Sequence, residues 1–554
     1  MKKIFRNGLF MFAAGMIATS CADYNVTDNF KADPDPSYKE NPYKDLAPVK
    51  SYMDKVTYPN MTLGATVKVK DFNKQELIHA AAVSNFDEIS LGSSLTSGTI
   101  VGKKGVMNFL DMIDFISNGQ KVDCKFYGSP LFANTGQADE WLDYVTAPVE
   151  VAVSKKELKS VDFSTMDKFE GVCNTYLNKP TGTIEKYDNK KVLKVGITGK
   201  VQIVADFELH PGSLYEIIYH VKTDKKVTYS ATFCGETIKD EKGNQANFVC
   251  NPDDWREQKF EIKCPADATE AYFRIDNKLN GPLYITDVTV CYYPDNHREQ
   301  TPEEKRENID KAINVWCNEF MKINNGFITT FDLIEEAIDG KNLLENQVYD
   351  LKHSTSKIYW QDIIGSENYG PQVYKEAKAA FEKHNGKAED LRFFLAESGL
   401  EEAKKMESLL YWMGIWEKNG AKFDGINAKL NLVYSEDPQK QADNEAAYTR
   451  LLDALHATGK LIRLSNFDIK YEDADGKNVG TDVITDEQRQ KLADYNARLI
   501  KAYLTKIAAD KQAGICKTNI SDSKDPVGLW TETKEEGWKR NAIYKAFCDG
   551  VSGK

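Results

Sequence analysis

The sequence has few of the residues that build metal sites or disulfide frameworks. It contains only seven histidines and ten cysteines in 554 residues, and no two cysteines form a CxxC pair. His353, His384 and His456 lack the spacing of metal ligands, so we expect them to be surface or packing residues. The cysteine pattern excludes a zinc site and a disulfide-rich fold, and it favours buried free thiols. Bridges formed outside the cytoplasm remain an alternative for four cysteines, Cys234, Cys250, Cys264 and Cys291.

Long apolar runs and excess positive charge are also missing. The net charge of −12 argues against a nucleic-acid partner, because binding to phosphates requires a basic face. No segment reaches the eighteen or more apolar residues that a membrane-spanning helix needs. The chain is nevertheless long and 41% hydrophobic, so it can bury one large core and carry an additional module.

The first residues predict an export signal. A basic start, a short apolar segment and small residues lead to Cys21 in "ATSC", which resembles the lipobox of bacterial lipoproteins. The sequence therefore predicts a lipoprotein signal peptide at 1–20, lipidation of Cys21, and an acidic tether at 21–45. Acidic residues behind the cysteine resemble the surface-export signal of Bacteroidetes lipoproteins. A plain signal peptide with an incidental cysteine is the alternative.

Three stretches follow the tether. Residues 46–150 alternate strand and helix patterns, which indicates parallel βα units. Residues 151–295 contain strand patterns alone, with turns about every ten residues, as in a β-sandwich. Residues 296–554 begin with a helix, for which Thr301 is the predicted cap and Pro302 the first residue, and then alternate again.

Counting the strands predicts the architecture. Three strands precede the sandwich and five follow it, and eight is the number in a (β/α)8 barrel. We therefore predict an α/β fold: a (β/α)8 TIM barrel interrupted after strand 3 by a β-sandwich (jelly-roll) domain. An enzyme of this architecture holds its chemistry at the carboxyl ends of the barrel strands.

The predicted fourth strand is "TTFDLIEEAIDG" at 329–340. It resembles the fourth strand of glycoside hydrolase family 10, the endo-1,4-beta-xylanases, which has Trp-Asp-Val-Val-Asn-Glu-Ala there. "LIRLSNFDI" resembles its seventh strand, where the family has Thr-Glu-Leu-Asp-Ile. "LGATV" and "FDGINAKLNL" resemble its first and sixth strands. The 151–295 segment is similar to carbohydrate-binding modules of families 4 and 9, and "HPGSLY" and "YITDVTV" carry this similarity. Bacteroidetes lipoproteins of family 10 carry such an insert at the same place.

The resemblance implies a retaining mechanism, in which one glutamate is the acid/base and a second is the nucleophile, about 5–5.5 Å away. Glu336 falls on the acid/base position, and Glu335 stands where the family has asparagine. Asn466 falls on the nucleophile position. An amide cannot form the glycosyl ester of the retaining mechanism, so the resemblance predicts a vestigial acid/base beside an inactive nucleophile position. On sequence alone, two adjacent glutamates at a strand end, such as Glu335 and Glu336, are more often a solvated pair in a loop, and the barrel context is what favours the acid/base role.

Most of the family's sugar-binding positions are also replaced. This loss predicts that the barrel has kept its fold without its original pocket, since sugar hydroxyls need those polar partners. The replacing residues are Gly92, Ser93 and Thr96 in the second strand region, Lys125–Pro130 in the third, Ala396–Gly399 in the fifth, Lys429–Asn431 in the sixth and Thr518 in the eighth. Asp468 or Glu397 could replace the missing carboxylate, and this alternative stays open.

In the insert, Trp255 and Tyr272 are the predicted sugar-binding residues, because a flat ring can stack on the apolar face of a pyranose. Both could instead fill the core of the sandwich. Related modules hold a structural Ca²⁺, and Asp287 is a weak candidate ligand, since one aspartate does not define a calcium site. No other cofactor is expected.

These observations predict a surface-exposed lipoprotein, anchored in the outer membrane by lipid alone, that binds plant-type (xylan-like) polysaccharide. The barrel would be a pseudoenzyme, and a surface glycan-uptake complex would be its setting. One alternative is an active endo-acting glycoside hydrolase (endo-1,4-beta-xylanase-like) with a shifted active site. Another is a non-enzymatic assembly or structural lipoprotein that contacts proteins and no sugar.

Overall fold

The computed structural model describes residues 41–240, 242–278, 281–533 and 537–553. The predicted signal peptide at 1–20, the predicted lipidation site Cys21 and residues 22–40 of the predicted tether lie outside the described residues. Within the described residues, no helix combines the length and the apolar character needed to cross a membrane.

Eight parallel strands close into a barrel, which confirms the predicted fold class. The first strand pairs with both the second and the eighth, and Leu63 lies opposite Ile515 at the closing seam. We number the strands barrel strands 1 to 8 in chain order: Thr62–Thr66, Glu88–Ser90, Lys125–Gly128, Thr330–Glu335, Arg392–Ser398, Gly425–Lys429, Leu461–Ser465 and Gln512–Lys517. A short strand, Phe132–Ala133, pairs with the upper part of barrel strand 4.

Helices surround the barrel and bury apolar faces against it. The helix that precedes barrel strand 4 begins as the sequence predicts: the Thr301 side chain caps it, Glu304 completes a capping box, and Pro302 is its first residue. The helices of the barrel are Val69–Lys74, Leu77–Asn85, Ser97–Ile100, Leu110–Gly119, Asp139–Thr146, Pro302–Asn324, Trp360–Ile364, Ser366–Lys383, Ala403–Lys418, Pro438–Ala457, Asp486–Lys506 and Ala542–Val551.

The insert consists of two antiparallel sheets with a core separate from that of the barrel. The larger sheet contains Lys156–Asp162, Gly182–Tyr187, Lys190–Val195, Leu214–Lys222, Arg256–Lys263 and Leu283–Tyr293. The smaller sheet contains Lys200–Ala205, Val227–Phe233, Glu236–Thr237, Phe248–Cys250 and Tyr272–Asn277. Alternate residues of these strands point inward, as expected for a sandwich. The nine described cysteines are free thiols, as the sequence favours.

The chain leaves the barrel and returns to it through one small ribbon. Val149–Glu150 pairs antiparallel with His297–Arg298, so the two crossing segments lie side by side. The insert follows the short helix Asp139–Thr146, and the long helix Pro302–Asn324 leads from it into barrel strand 4. The interruption therefore falls between barrel strands 3 and 4 and leaves the strand pairing of the barrel complete.

Candidate functional site

A cavity of about 480 Å³ opens at the carboxyl ends of the barrel strands, where barrel enzymes place their chemistry. Polar and small side chains line it, and no aromatic ring is among its described lining residues. The lining comes from seven strands or the loops that follow them: Thr66, Lys68, Ser90, Leu91, Gly92, Ser93, Ser94, Gly128, Pro130, Asp332, Glu335, Asn427, Lys429, Ser465, Asn466 and Thr518.

The two adjacent glutamates of barrel strand 4 have different surroundings. Glu335 ends the strand and lines the cavity, whereas Glu336 is not among its described lining residues. The backbone turns at Glu336, whose φ of 56° lies in the left-handed region that residues other than glycine rarely adopt. A hydrogen bond from the Glu336 backbone N–H to the Ala396 carbonyl oxygen, 2.9 Å long, ties this turn to barrel strand 5. Of the two glutamates, Glu335 is therefore the one among the described lining residues of the cavity.

Lys429 of barrel strand 6 joins the two glutamates. Its Nζ lies 2.7 Å from Glu335 Oε1 and 3.1 Å from Glu336 Oε1. Burial lowers the pKa of Lys429, but the two carboxylates outweigh burial and raise it above its usual value. The ammonium is therefore charged at every physiological pH, and it offsets the repulsion between the adjacent carboxylates.

Glu336 also contacts barrel strand 5. Its Oε2 accepts a hydrogen bond of 2.9 Å from Ser398 Oγ, and its carboxyl group shares a hydrogen bond with that of Glu397. Burial raises the pKa of Glu336, yet Lys429 and the hydrogen bonds from Glu397 and Ser398 together lower it below its usual value. Glu336 is thus an ionised acceptor at neutral pH, which is unsuited to donating a proton to a leaving group.

Glu397 holds the proton of this carboxyl pair. It is 1% exposed, lies 2.8 Å from Lys405 Nζ, and accepts a hydrogen bond from the Ile338 backbone N–H. Burial, followed by the charge of Glu336, raises the pKa of Glu397 to about 7, although Lys405 opposes the change. The Glu397 carboxyl group is thus coupled to that of Glu336 and engaged by Lys405 and the Ile338 backbone.

The nucleophile position of the family is occupied by an amide that faces the cavity. Asn466 follows barrel strand 7, has a φ of 52°, and accepts a hydrogen bond of 2.7 Å from Thr518 Oγ1. Asn tolerates this left-handed conformation better than most residues. Asp468, two residues later, pairs with Lys517 Nζ at 2.8 Å and accepts hydrogen bonds from Asn519. Asp468 is not among the described residues that line the cavity.

The floor of the cavity contains a carboxyl group that the sequence analysis missed. Asp332 accepts hydrogen bonds from Tyr127 at 2.6 Å and from Asn427 Nδ2 at 3.0 and 3.2 Å. Burial and the charge of Glu335 raise the pKa of Asp332 to about 7, whereas its hydrogen bonds and Arg463 oppose the rise. An acidic residue between Phe331 and Leu333 in a buried strand was the available sequence signal.

A second buried ion pair lies deeper in the barrel. Arg463 of barrel strand 7 is 1% exposed, donates to Glu88 of barrel strand 2, and stacks over the Tyr127 ring at 3.9 Å. Because Tyr127 also donates to Asp332, polar contacts connect the barrel interior to the cavity floor. The arginine within the apolar run "LIRLS" signalled this pair, but its partner is 375 residues away.

The other predicted barrel positions divide into two groups. Gly92, Ser93 and Thr518 line the cavity, as their alignment predicts. Thr96, in contrast, is 1% exposed before the helix Ser97–Ile100, and Asn431 is exposed beside Glu401. The cavity therefore lies where the resemblance places the family's pocket, but different side chains line it.

In the insert, Trp255 is half-buried next to the larger sheet. Its Nε1 donates to Asp188 at 3.1 Å, Lys190 Nζ lies 5.2 Å from its ring centre, and its ring meets that of Tyr187 edge-on. Tyr187 stacks on Tyr284 with 3.6 Å between ring centres. Trp255 thus belongs to an aromatic cluster of Trp255, Tyr187 and Tyr284, two members of which sequence analysis missed.

The other two residues predicted in the insert, Tyr272 and Asp287, are engaged within the protein. Tyr272 is 8% exposed, which favours the alternative that its ring fills the core, and stacking of Tyr272 on sugar stays a prediction. Asp287 accepts one hydrogen bond from Thr286 Oγ1 and pairs with His220 at 2.8 Å. Among the described residues, no group of three His, Cys, Asp or Glu side chains could hold a metal. Calcium at Asp287 would depend on backbone carbonyl ligands and stays a prediction.

Comparison with known proteins gives a family and a fold. Residues 293–545 match the model of glycosyl hydrolase family 10, and no curated protein matches the chain. Xylanase B from Clostridium stercorarium F9 is similar over 91% of this chain and 100% of its own, with 10% identity and a TM-score of 0.51. An endo-1,4-beta-xylanase from Penicillium canescens is 12% identical over 91% of this chain and 98% of its own, with a TM-score of 0.48.

Identity this low establishes a common fold only, and it carries no activity over to this chain. The family match covers the second part of the barrel, including barrel strands 4 to 8. The chain therefore resembles glycosyl hydrolase family 10 in sequence, and its closed barrel is the (β/α)8 fold of the xylanase structures.

Proposed function

We propose that the chain is a surface lipoprotein that binds a plant-type, xylan-like polysaccharide and does not cleave it. The observation that carries this proposal is the amide of Asn466 in the cavity, where retaining hydrolysis requires an ionised carboxylate. Loss of a nucleophile in other enzymes lowers the rate by about 10⁴ to 10⁶. The barrel is thus a xylanase-like scaffold without its attacking group.

The surroundings of Glu336 also argue against hydrolysis, because they prevent it from acting as the general acid. Its carboxylate is held by Lys429 and Ser398 and accepts the Glu397 proton. A general acid needs a proton at the operating pH and reach to the leaving oxygen. Glu336 has a lowered pKa and lies outside the described lining of the cavity, so neither condition is met.

The contacts of Glu397 and Asp468 weigh against an active enzyme with a displaced carboxylate. Paired carboxyl groups stand about 5–5.5 Å apart in retaining glycosidases and about 6.5–9.5 Å apart in inverting ones. Glu397 instead hydrogen-bonds Glu336 directly. Asp468 is engaged by Lys517 and Asn519. Glu397 would have to lose its proton, and Asp468 its ion pair with Lys517, before either could act.

Polysaccharide binding is assigned to the insert because its aromatic cluster offers the contact that the cavity lacks. Trp255 and Tyr187 are both half-buried, so part of each ring reaches solvent. Stacking of a ring on a pyranose needs a flat apolar surface and no reactive carboxylate. Lipidation at Cys21 would hold many copies at the outer membrane, and multivalent capture would raise the effective affinity for a polymer.

The first experiment tests for hydrolysis. The full mature chain and its Glu336→Gln variant are incubated with xylan and with mixed-linkage glucan, and the release of reducing sugar is measured. We expect both proteins to match the enzyme-free blank. Release by the unaltered chain that Glu336→Gln abolishes would contradict the proposal and establish a working acid/base.

The second experiment tests binding. Affinity gels that contain xylan or other plant and host glycans should retard the mature chain. Trp255→Ala should reduce the retardation, and Tyr176→Ala is the matched control because Tyr176 is a 49% exposed aromatic residue of the same insert. A chain that runs unretarded on every glycan would instead favour the assembly-lipoprotein alternative.

A further inference from the structure

One hairpin turn in the smaller sheet of the insert carries a cysteine in an unusual backbone conformation. Phe233 pairs with Glu236, so Cys234 and Gly235 form a turn of two residues. Both have positive φ angles, 47° and 92°, a geometry that Asn, Asp and Gly usually supply. The Cys234 side chain is nevertheless buried, with 4% of the residue exposed. The thiol at this turn therefore points to a role beyond the turn itself.

A second buried thiol meets Cys234 from the other sheet. Cys264 directly follows the strand Arg256–Lys263 of the larger sheet, and it is 1% exposed. A hydrogen bond joins the thiols of Cys234 and Cys264. Two thiols in hydrogen-bond contact are the reactants from which a disulfide forms, and here they lie on opposite sheets.

Packing around the thiols holds the same two segments together. The ring of Phe233, the residue before Cys234, lies 5.0 Å from the ring of Tyr215. Tyr215 in turn stands opposite Ile262, two residues before Cys264. The ring contact therefore brings the hairpin turn to the end of the larger sheet independently of the thiols.

Backbone hydrogen bonds fix both cysteines in place. The Cys234 N–H donates to the Tyr272 carbonyl oxygen at 2.9 Å, and the Cys264 N–H donates to that of Ser213 at 2.9 Å. The Cys264 carbonyl oxygen accepts from the Gly212 N–H at 3.1 Å. An S–S bond is only about 2.05 Å long, so rotation of the two side chains has to close the remaining distance between the sulfurs.

We propose that Cys234 and Cys264 form a disulfide in the exported protein and thereby cross-link the two sheets of the insert. The two thiols are oxidised to one S–S bond and lose two protons and two electrons. A small-molecule disulfide such as oxidised glutathione accepts both and is reduced to two thiols. The proposal rests on the export that the proposed function includes, since disulfides persist in oxidising compartments.

Burial determines when this bond forms. It raises the pKa of the Cys234 thiol to about 12 and also raises the pKa of the Cys264 thiol. Only the thiolate attacks a disulfide, and thiolates are scarce at these positions once the core has closed. Oxidation therefore accompanies folding, and the same burial afterwards shields the bond from reductants.

The bond would restrain the segment that carries the proposed sugar contact. The loop that it closes, 234–264, contains Trp255. Trp255 directly precedes the strand Arg256–Lys263, and Cys264 directly follows it. The disulfide therefore anchors one end of this strand, while the aromatic cluster occupies the other. A closed loop of this kind stabilises a domain by restricting its unfolded chain.

Refolding in a glutathione buffer tests the pairing. The full mature chain is unfolded and reduced, refolded with oxidised and reduced glutathione, blocked with iodoacetamide and digested with trypsin. We expect mass spectrometry to find the peptides 227–239 and 264–274 linked, and reduction to separate them. The same linked pair is expected in the chain recovered from cells that export it. Unlinked peptides in either preparation, or equal linkage of either cysteine to another partner, would overturn the proposal.

Thermal unfolding with and without reductant measures the effect of the bond. Reduction should lower the unfolding midpoint of the insert by on the order of 10 °C. Cys234→Ala and Cys264→Ala should each abolish this shift. Cys250→Ala is the matched control, because Cys250 is a cysteine of the same core with 1% exposure, and it should keep the full shift. Each variant is compared with itself, so a general loss of stability cancels. A full shift in Cys234→Ala would contradict the pairing.

Glycan gels separate this proposal from polysaccharide capture. A chain that contains the linked peptides but runs unretarded on every glycan would contradict capture and support the disulfide. A chain that is retarded by xylan while its peptides stay unlinked would support capture and refute the disulfide.

Discussion

The carboxyl end of the barrel and the aromatic cluster of the insert use opposite chemistry. At the barrel end, Lys429 joins two buried carboxylates and the described cavity lining has no aromatic ring. On the insert, Trp255 and Tyr187 are half-buried, and the charged groups lie around their edges. A polymer gains contact area from exposed rings, whereas a deep charged cavity selects one small group.

Under the proposed function, the barrel is a scaffold that keeps its shape while lacking its attacking group. Barrel strand 7 presents an amide, and barrel strand 4 turns its second glutamate toward barrel strand 5. The charges that remain pair with one another and stabilise the barrel end. Buried ion pairs of this kind are costly to break from one side, because removal of one partner leaves the other unpaired.

The largest expected effect comes from Lys429→Met. This change leaves Glu335 and Glu336 adjacent, buried and without their shared cation. We expect the free energy of unfolding to fall by about 3–5 kcal/mol, as measured by urea denaturation at pH 7. Lys404→Met is the control, since the Lys404 side chain is 37% exposed and its described ion pair is with Glu407 of its own helix. A loss below about 1 kcal/mol would mean that the charge cluster is not structural.

The second effect is a dependence of stability on pH. Burial raises the folded pKa of Glu397 to about 7, from an ordinary value of 4.5, and the pKa of Asp332 to about 7, from 3.8. Between the ordinary pKa values and about pH 7, the folded state binds more protons than the unfolded state. The free energy of unfolding therefore falls as pH rises through this range. We expect a decrease on the order of 1–3 kcal/mol for each group between pH 5 and pH 7, measured by urea unfolding.

Glu397→Gln sharpens this test. Glutamine resembles the protonated acid and cannot ionise, so the variant should lose part of the decrease in stability between pH 5 and pH 7. Glu345→Gln, at an exposed position, should keep the full decrease. Stability that stays constant over this range in the unaltered chain would contradict the assignment of the proton to Glu397.

A smaller effect is expected from Tyr187→Leu. Leucine keeps an apolar side chain and removes the ring that meets Trp255 and stacks on Tyr284. Because an aromatic contact contributes about 0.5–1.5 kcal/mol beyond its buried area, polysaccharide affinity should fall by about two- to tenfold in gel retardation. Retention equal to that of the unaltered chain would limit the binding site to Trp255.

The smallest expected effect is that of Asn466→Glu. The change restores a carboxylate at the nucleophile position, yet Glu336 remains ionised and paired with Lys429. Reducing-sugar release from xylan should therefore stay at the level of the blank. Turnover in this variant would show that Glu336 can donate a proton and that Asn466 alone prevents hydrolysis.

Much of the fold follows from sequence because its determinants are local. Alternation of strand and helix patterns predicts the barrel, and the run of strands alone predicts the insert. The capping box at Thr301 is a signal within four residues, and the structure contains it. These features depend on neighbours along the chain, which a single sequence displays.

The cavity could be placed from sequence but its contacts could not. The pairing of barrel strands 4 and 5 shifts between Asp332 and Ile334, so simple alternation does not tell which glutamate faces inward. The bond between Lys429 and Glu335 joins residues 94 positions apart. The burial of Tyr272 was hidden for a related reason, since strand residues alternate and the pattern alone did not identify the buried side.

The small ribbon of Val149–Glu150 and His297–Arg298 has a consequence for the history of the chain. Since both crossings lie together, a short turn between these two strands would join them without disturbing the pairing of any barrel strand. Domains with neighbouring ends are readily inserted into hosts or removed from them. One recombination event at this point would suffice to gain or delete the sandwich, so the sandwich and the barrel can diverge as separate heritable units.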